Sequence, residues 1–189
     1  HIGYQFAKPL MHNRFSFTFL RDPVERVLSF YYFCQSRDPS EYKIFELAHS
    51  HTLADFLTVC LEDPFHKMQV WNNQVWQLAY GYCQFEQRSI DSFSNTELLQ
   101  LAKDHLAEFS HVGFTETFDS DASIILKQLY IPVPSRIPRL NDLPARPHSE
   151  EMSSTVLNLL AELTEMDKQL YLFADAKRRS SSHFEGNPE

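Results

Sequence analysis

Apolar and polar positions alternate between Phe15 and Phe19, where Ser16 and Thr18 separate the three phenylalanines and Leu20 follows. That period of two predicts a strand ending at Leu20. The pattern then changes abruptly. Asp22 is a good helix N-cap, Pro23 suits the first helical position, and Glu25 stands where a capping box needs it. Val24, Val27, Leu28, Tyr31 and Tyr32 form the apolar side of the predicted helix and are expected to pack on a sheet. Ser29 shares the other face with Asp22, Glu25, Arg26 and Phe33. The segment reads as strand, sharp turn, helix, with Arg21 at the strand's carboxyl end. In open α/β sheets ligands bind outside those ends.

The same reading continues along the chain. A polar loop is expected around Ser36–Tyr42. A short helix follows over Thr52–Leu61, capped by His51 or Thr52 and broken by Pro64. Phe65–Tyr80 reads as one helix rich in aromatics and amides, ended by Gly81, and Phe85–Phe93 as a loop. Ser94-Asn95-Thr96-Glu97 is a capping box that opens a helix to about Phe109. His111–Phe114 is a short buried strand, and Asp121–Leu129 an amphipathic helix. Pro132, Pro134, Pro138, Pro144 and Pro147 mark residues 132–148 as extended and irregular. One or two helices fill Ser149–Leu163 and Met166–Arg178. Residues 1–178 are expected to form one domain, and residues 179–189 a disordered tail.

Composition narrows the function classes. The 189 residues are 43% hydrophobic, enough for a proper core. The net charge of −8 disfavours nucleic acid, anionic membranes and highly sulfated partners. The cysteines, Cys34, Cys60 and Cys83, have apolar neighbours and no C-x-x-C spacing, so reduced and mostly buried thiols are expected. No histidine or cysteine spacing suits a metal site, and none is expected. No apolar run approaches the roughly 20 residues of a membrane span.

The chemistry centres on Arg21 and Ser29. A guanidinium beside a hydroxyl can hold a phosphate, and a charge-assisted hydrogen bond of that kind contributes roughly 1.5–3 kcal/mol. Taken alone, the Arg-Asp-Pro turn serves equally well as a helix cap with a surface ion pair.

The longer string decides between them. Arg21-Asp22-Pro23-Val24-Glu25-Arg26-Val27-Leu28-Ser29-Phe30-Tyr31-Tyr32-Phe33 resembles the 3′-phosphate motif of carbohydrate sulfotransferases that use 3′-phosphoadenosine-5′-phosphosulfate (PAPS). The branch it resembles is that of heparan sulfate 2-O-sulfotransferase and its bacterial relatives (bacterial sulfotransferase family 2). Three further stretches agree in order. His1-Ile2-Gly3-Tyr4 is similar to the family's segment carrying the catalytic histidine. His111 to Asp119 is similar to its V-G-x-T-E-x-F-D passage. Arg139-Leu140-Asn141, Arg146-Pro147 and Asp167 to Tyr171 resemble the C-terminal R-x-N, R-P and D-x-x-L-Y pattern. The resemblance spans about residues 1–175.

That resemblance implies a set of roles. His1 would be the general base, and the other reading of His1 is a frayed chain end. Arg21 and Ser29 would bind the 3′-phosphate, with Arg139, Asn141 and Arg146 in a late loop over the nucleotide. Lys8, Asn73 and Trp76 are candidate acceptor contacts, although Lys8 also fits an exposed loop lysine and Trp76 a core aromatic. Arg26 would pair with Asp22 or Glu25, and Glu116 would tie its strand to the next helix. His12 belongs in an exposed loop. The donor would be PAPS and the product 3′,5′-diphosphoadenosine (PAP), with no metal. The acceptor would be a carbohydrate or glycolipid. The compartment would be cytoplasmic for a bacterial chain, or the Golgi lumen for a eukaryotic fragment.

Two departures stand out. The family's P-K-x-G-x-[ST] loop for the 5′-phosphosulfate has no counterpart among Gly3, Gly81, Gly113 and Gly186. Asn73, Leu78 and Gly81 match an N-x-Q-T-R-x-L-x-G helix, but Val75, Trp76 and Gln77 replace its Gln, Thr and Arg. The expected fold is a P-loop-kinase-like, three-layer α/β domain with a parallel sheet, lacking its first strand and phosphate loop, with a helix-rich C-terminal part. Membrane association would require a missing upstream segment. Two other classes stay open: a non-catalytic nucleotide- or sugar-binding remnant of this fold, and an ATP-dependent P-loop kinase. The kinase would need a Walker-type loop and an acidic Mg²⁺ ligand.

Overall fold

A computed structural model describes residues 3–80, 92–137 and 152–182. His1, Arg139, Asn141, Arg146, Gly81 and Cys83 lie outside the described residues. In chain order the elements are α1 (Tyr4–Met11), β1 (Phe17–Leu20), α2 (Pro23–Gln35), α3 (Lys43–Ser50), α4 (Leu53–Glu62), α5 (Pro64–Val70) and α6 (Asn73–Ala79). There follow α7 (Asn95–Leu106), β2 (His111–Phe114), a 3-10 turn at Thr115–Thr117, α8 (Phe118–Gln128) and α9 (Ser154–Ser182). The fold is mixed α/β and mostly helical.

The described strands form one open parallel pair, with Phe17 opposite His111 and Leu20 opposite Phe114. Parallel pairing agrees with the sequence expectation. A three-layer kinase-like sheet does not appear among the described residues. Gly113 is required where the pair meets its surroundings. A Cβ there would lie 2.6 Å from Phe19 Cε1 and 3.0 Å from Asp121 Cβ, closer than carbon atoms pack.

The chain divides into two compact units. The first contains residues 1–22, 74–133 and 166–189, and the second residues 23–73 and 134–165. The second unit is helical. Val27, Leu28, Tyr31 and Cys34 of α2 are buried there with Phe45 of α3, Phe56, Leu57 and Cys60 of α4, Val70 of α5, and Leu160 and Leu163 of α9. The sequence expectation placed α2 on a sheet; within its own unit it packs on helices. Its apolar stripe finds helical partners, including α3, for which the sequence pattern gave no signal. Both buried thiols in that core are free. Burial pushes Cys34 and Cys60 up to about 12.

Local signals explain several boundaries. The Thr52 hydroxyl accepts the Asp55 N–H and caps α4. The Ser94 hydroxyl does the same for Glu97 at the start of α7. Pro64 ends one helix by beginning another, because Asp63 accepts the Phe65 and His66 N–H groups at 2.9 and 3.0 Å. The single helix expected over Phe65–Tyr80 is two. Asn72 takes a left-handed φ of 39° between them, a conformation asparagine tolerates well. α8 begins at Phe118, earlier than expected, and α9 is one unbroken helix to Ser182. No described helix is long and apolar enough to cross a membrane.

Candidate functional site

The first unit builds a rigid setting for the turn that carries Arg21. The Gln74 side chain, in the first turn of α6, pairs with the Arg21 backbone on both sides. Its Oε1 accepts the Arg21 N–H at 2.9 Å, and its Nε2 donates to the Arg21 carbonyl at 3.0 Å. The next peptide is held from the opposite strand. Glu116, just past β2, accepts the Asp22 N–H at 2.7 Å.

Both arms are anchored on α9. The Asp167 carboxylate is 1% exposed and accepts the Gln74 N–H at 3.2 Å and the Val75 N–H at 2.7 Å. It thus satisfies two donors at the amino end of α6, as an anion there should. Tyr171, one helical turn later, donates its hydroxyl to Glu116 Oε2 at 3.2 Å. Burial first, then the Glu116 carboxylate, pushes the Tyr171 phenol up to about 12, so it stays a donor. The Tyr171 ring also meets Phe114 edge-on, with centroids 5.0 Å apart.

The other expected residues are distributed between the units. Lys8 is exposed on α1 and pairs with Glu108 at 3.4 Å. Beside it the Tyr4 ring stacks on His105 with centroids 3.7 Å apart, and His105 Nδ1 lies 2.8 Å from the Leu78 carbonyl. Trp76 is 2% exposed and packs with Tyr80 and Phe93. In the second unit, Ser29 is half-buried on α2. Asn73 is buried, its Oδ1 accepting from Arg26 Nη2 and its Nδ2 donating to the Met68 carbonyl at 3.2 Å. Arg26 and Ser29 share a face of α2, so the Asn73 amide lies against the helix face that carries Ser29. His12 is exposed, with His12 Nε2 3.2 Å from Asn13 Nδ2.

A second polar group secures the far side of β2. Asp121, 4% exposed, accepts the Phe114 N–H at 3.0 Å and the Thr117 hydroxyl at 2.6 Å. His111 Nε2 lies 3.2 Å from its other oxygen, and Arg178 reaches Thr117 at 3.0 Å. His111, Asp121 and Arg178 edge a cavity of about 640 Å³ lined also by Leu106, Phe109 and Phe173. Its buried carboxylate already holds a full set of partners within the unit, so this network ties α8 and α9 to the strand.

Sequence reasoning singled out Arg21 and Asp22 but not Gln74. Glu116 was expected to tie β2 to the next helix, and it reaches back to the turn before α2 instead. Asp167 and Tyr171 were visible as parts of a D-x-x-L-Y string without roles. Their i, i+4 spacing is the signal that could have placed them on one side of a helix.

These residues belong to a mixed α/β protein in which the strand-to-helix turn that carries Arg21 is braced by Gln74 and Glu116. Residues 4–174 match the sulfotransferase family, and the chain belongs to it. No curated protein and no solved structure matches the chain.

Proposed function

We propose that this chain transfers a sulfuryl group from PAPS to a hydroxyl of a carbohydrate or glycolipid acceptor and releases PAP. The observation that carries the reading is the family match over residues 4–174, which includes the Arg21–Phe33 string. In it Arg21 and Ser29 hold the 3′-phosphate. Arg139, Asn141 and Arg146 add nucleotide contacts, and Lys8, Asn73 and Trp76 lie on the acceptor side. The burial of Asn73 and Trp76 favours their shaping the acceptor side by packing rather than by direct contact.

The reaction is an in-line displacement. The acceptor oxygen bonds to sulfur as the bond from sulfur to the 5′-phosphate oxygen breaks. The acceptor proton passes to the His1 imidazole, and the electron pair of the broken bond leaves on PAP. General-base assistance of this kind supplies roughly 10²–10⁴-fold. The negative charge of the chain favours an acceptor carrying little charge of its own.

A calorimetric titration with PAP, 5′-AMP and ATP tests the donor site. PAP is expected to bind more tightly than the other two, and Arg21→Ala to weaken PAP about 10- to 100-fold in a folded protein. A folded Arg21→Ala protein with unchanged PAP affinity would remove Arg21 from the site. Loss of turnover with retained PAP binding is the expected result for His1→Ala, and wild-type turnover would exclude that histidine from the chemistry.

A further inference from the structure

We infer that Gln74 is a positioning residue for 3′-phosphate recognition, acting on Arg21 from one side while Glu116 acts on Asp22 from the other. The inference rests on the reading of Arg21 as the phosphate ligand and deepens it.

The chemistry of the clamp is unusual for a helix-entry turn. Backbone groups between a strand and a helix have lost the strand ladder and not yet gained the helix ladder. A primary amide carries a donor and an acceptor side by side. Gln74 therefore gives Arg21 the pair of bonds, 2.9 and 3.0 Å, that a neighbouring strand would give. Glu116 then takes the next N–H at 2.7 Å, and a charged acceptor makes that bond strong. Consecutive peptide groups are thus fixed from two directions. These bonds go to backbone atoms of Arg21 and Asp22, so they determine where the arginine side chain starts without using its charge.

The clamp is itself braced. Asp167 fixes the backbone of Gln74, and Tyr171 fixes Glu116. A simple tie between α6 and the strand would need one of these bonds. The two-armed arrangement restricts rotation of the Arg21–Asp22 segment as well as its distance, and a phosphate ligand is sensitive to that rotation.

The ratio of affinities for PAP and 5′-AMP separates positioning from structural support. These nucleotides differ only in the 3′-phosphate, so a general loosening weakens both alike. In the 189-residue chain, Gln74→Ala is expected to lower the PAP-to-AMP ratio about tenfold, the scale of one impaired charge-assisted hydrogen bond, with AMP affinity close to wild type and a lower thermal midpoint, because the Arg21 N–H and carbonyl lose their partner. Gln74→Met keeps the length of the side chain, adds no charge and removes both bonds to the Arg21 backbone. It should lower the ratio as Gln74→Ala does, and it carries the test if the alanine variant does not fold. A folded variant that retains the wild-type ratio overturns the clamp. A wild-type chain that binds PAP and AMP equally overturns the Arg21 assignment itself, and the clamp's role with it.

Discussion

Both units bury apolar side chains, and they differ in the buried carboxylates that the first unit adds. The second unit gathers Leu28, Phe56, Leu57, Val70, Leu160 and Leu163 into a helical core whose cohesion is apolar burial. The first unit buries the carboxylates of Asp121 and Asp167, and each accepts several donors at fixed distances. Burial is proportional to area and indifferent to direction, so it stabilises without fixing an angle. A buried carboxylate is costly unless its bonds are well directed, so it stabilises only one geometry. The unit that carries Arg21 adds such carboxylates to an apolar core of its own, which includes Val75, Leu98, Phe114 and Leu170.

Substitutions in the two units should separate these effects. The largest loss of stability is expected from Phe56→Ala, which empties a fully buried site in the apolar core and costs about 4 kcal/mol in urea unfolding. Whatever fraction stays folded should keep its preference for PAP over AMP. A changed preference would show that the apolar core also sets the geometry of the turn. Asp167→Ala should cost less, about 2–3 kcal/mol, because it strands the Gln74 and Val75 N–H groups. It should nonetheless reduce the nucleotide preference, and a variant that loses stability alone would undo the contrast.

The smallest effect lies at alkaline pH. The Tyr171 phenol is raised from about 10 to about 12, by burial and by the charges of Glu116, Asp22 and Asp175. A raised value means that the unfolded chain loses the proton first. The contribution is therefore whole below pH about 10 and is lost between about 10 and 12 as pH rises. Thermal midpoints of wild type and Tyr171→Phe should converge across that window, and parallel curves would show that the fold does not hold the phenol above its ordinary value.

Elements with strong local signals were legible in the sequence. β1 announced itself by alternation, α2 by the Asp22-Pro23 start, α4 and α7 by Thr52 and Ser94, and β2 by its apolar run. The break at Trp71-Asn72 was not legible, because Asn72 is held in place by its N–H to the Leu163 carbonyl, a contact far away in sequence. The partners of α2 were missed for the same reason, since its stripe is equally compatible with a sheet or with helices. At the site, Arg21 was visible because its chemistry is written in its own motif. Gln74 was not, because its role lies in two bonds to backbone atoms of a residue distant in the chain, and backbone acceptors leave no trace in sequence.

The continuity of α9 has a consequence for how this chain can change. Asp167 and Tyr171 reach their separate partners from consecutive turns of one rod, which advances about 1.5 Å and turns about 100° per residue. Lys168 and Gln169 between them face solvent and are open to replacement. Adding or removing a single residue there would swing one anchor roughly a quarter-turn away from its target. That stretch works as a ruler: the letters at Lys168 and Gln169 are free to drift, buried Leu170 is not, and neither is the length.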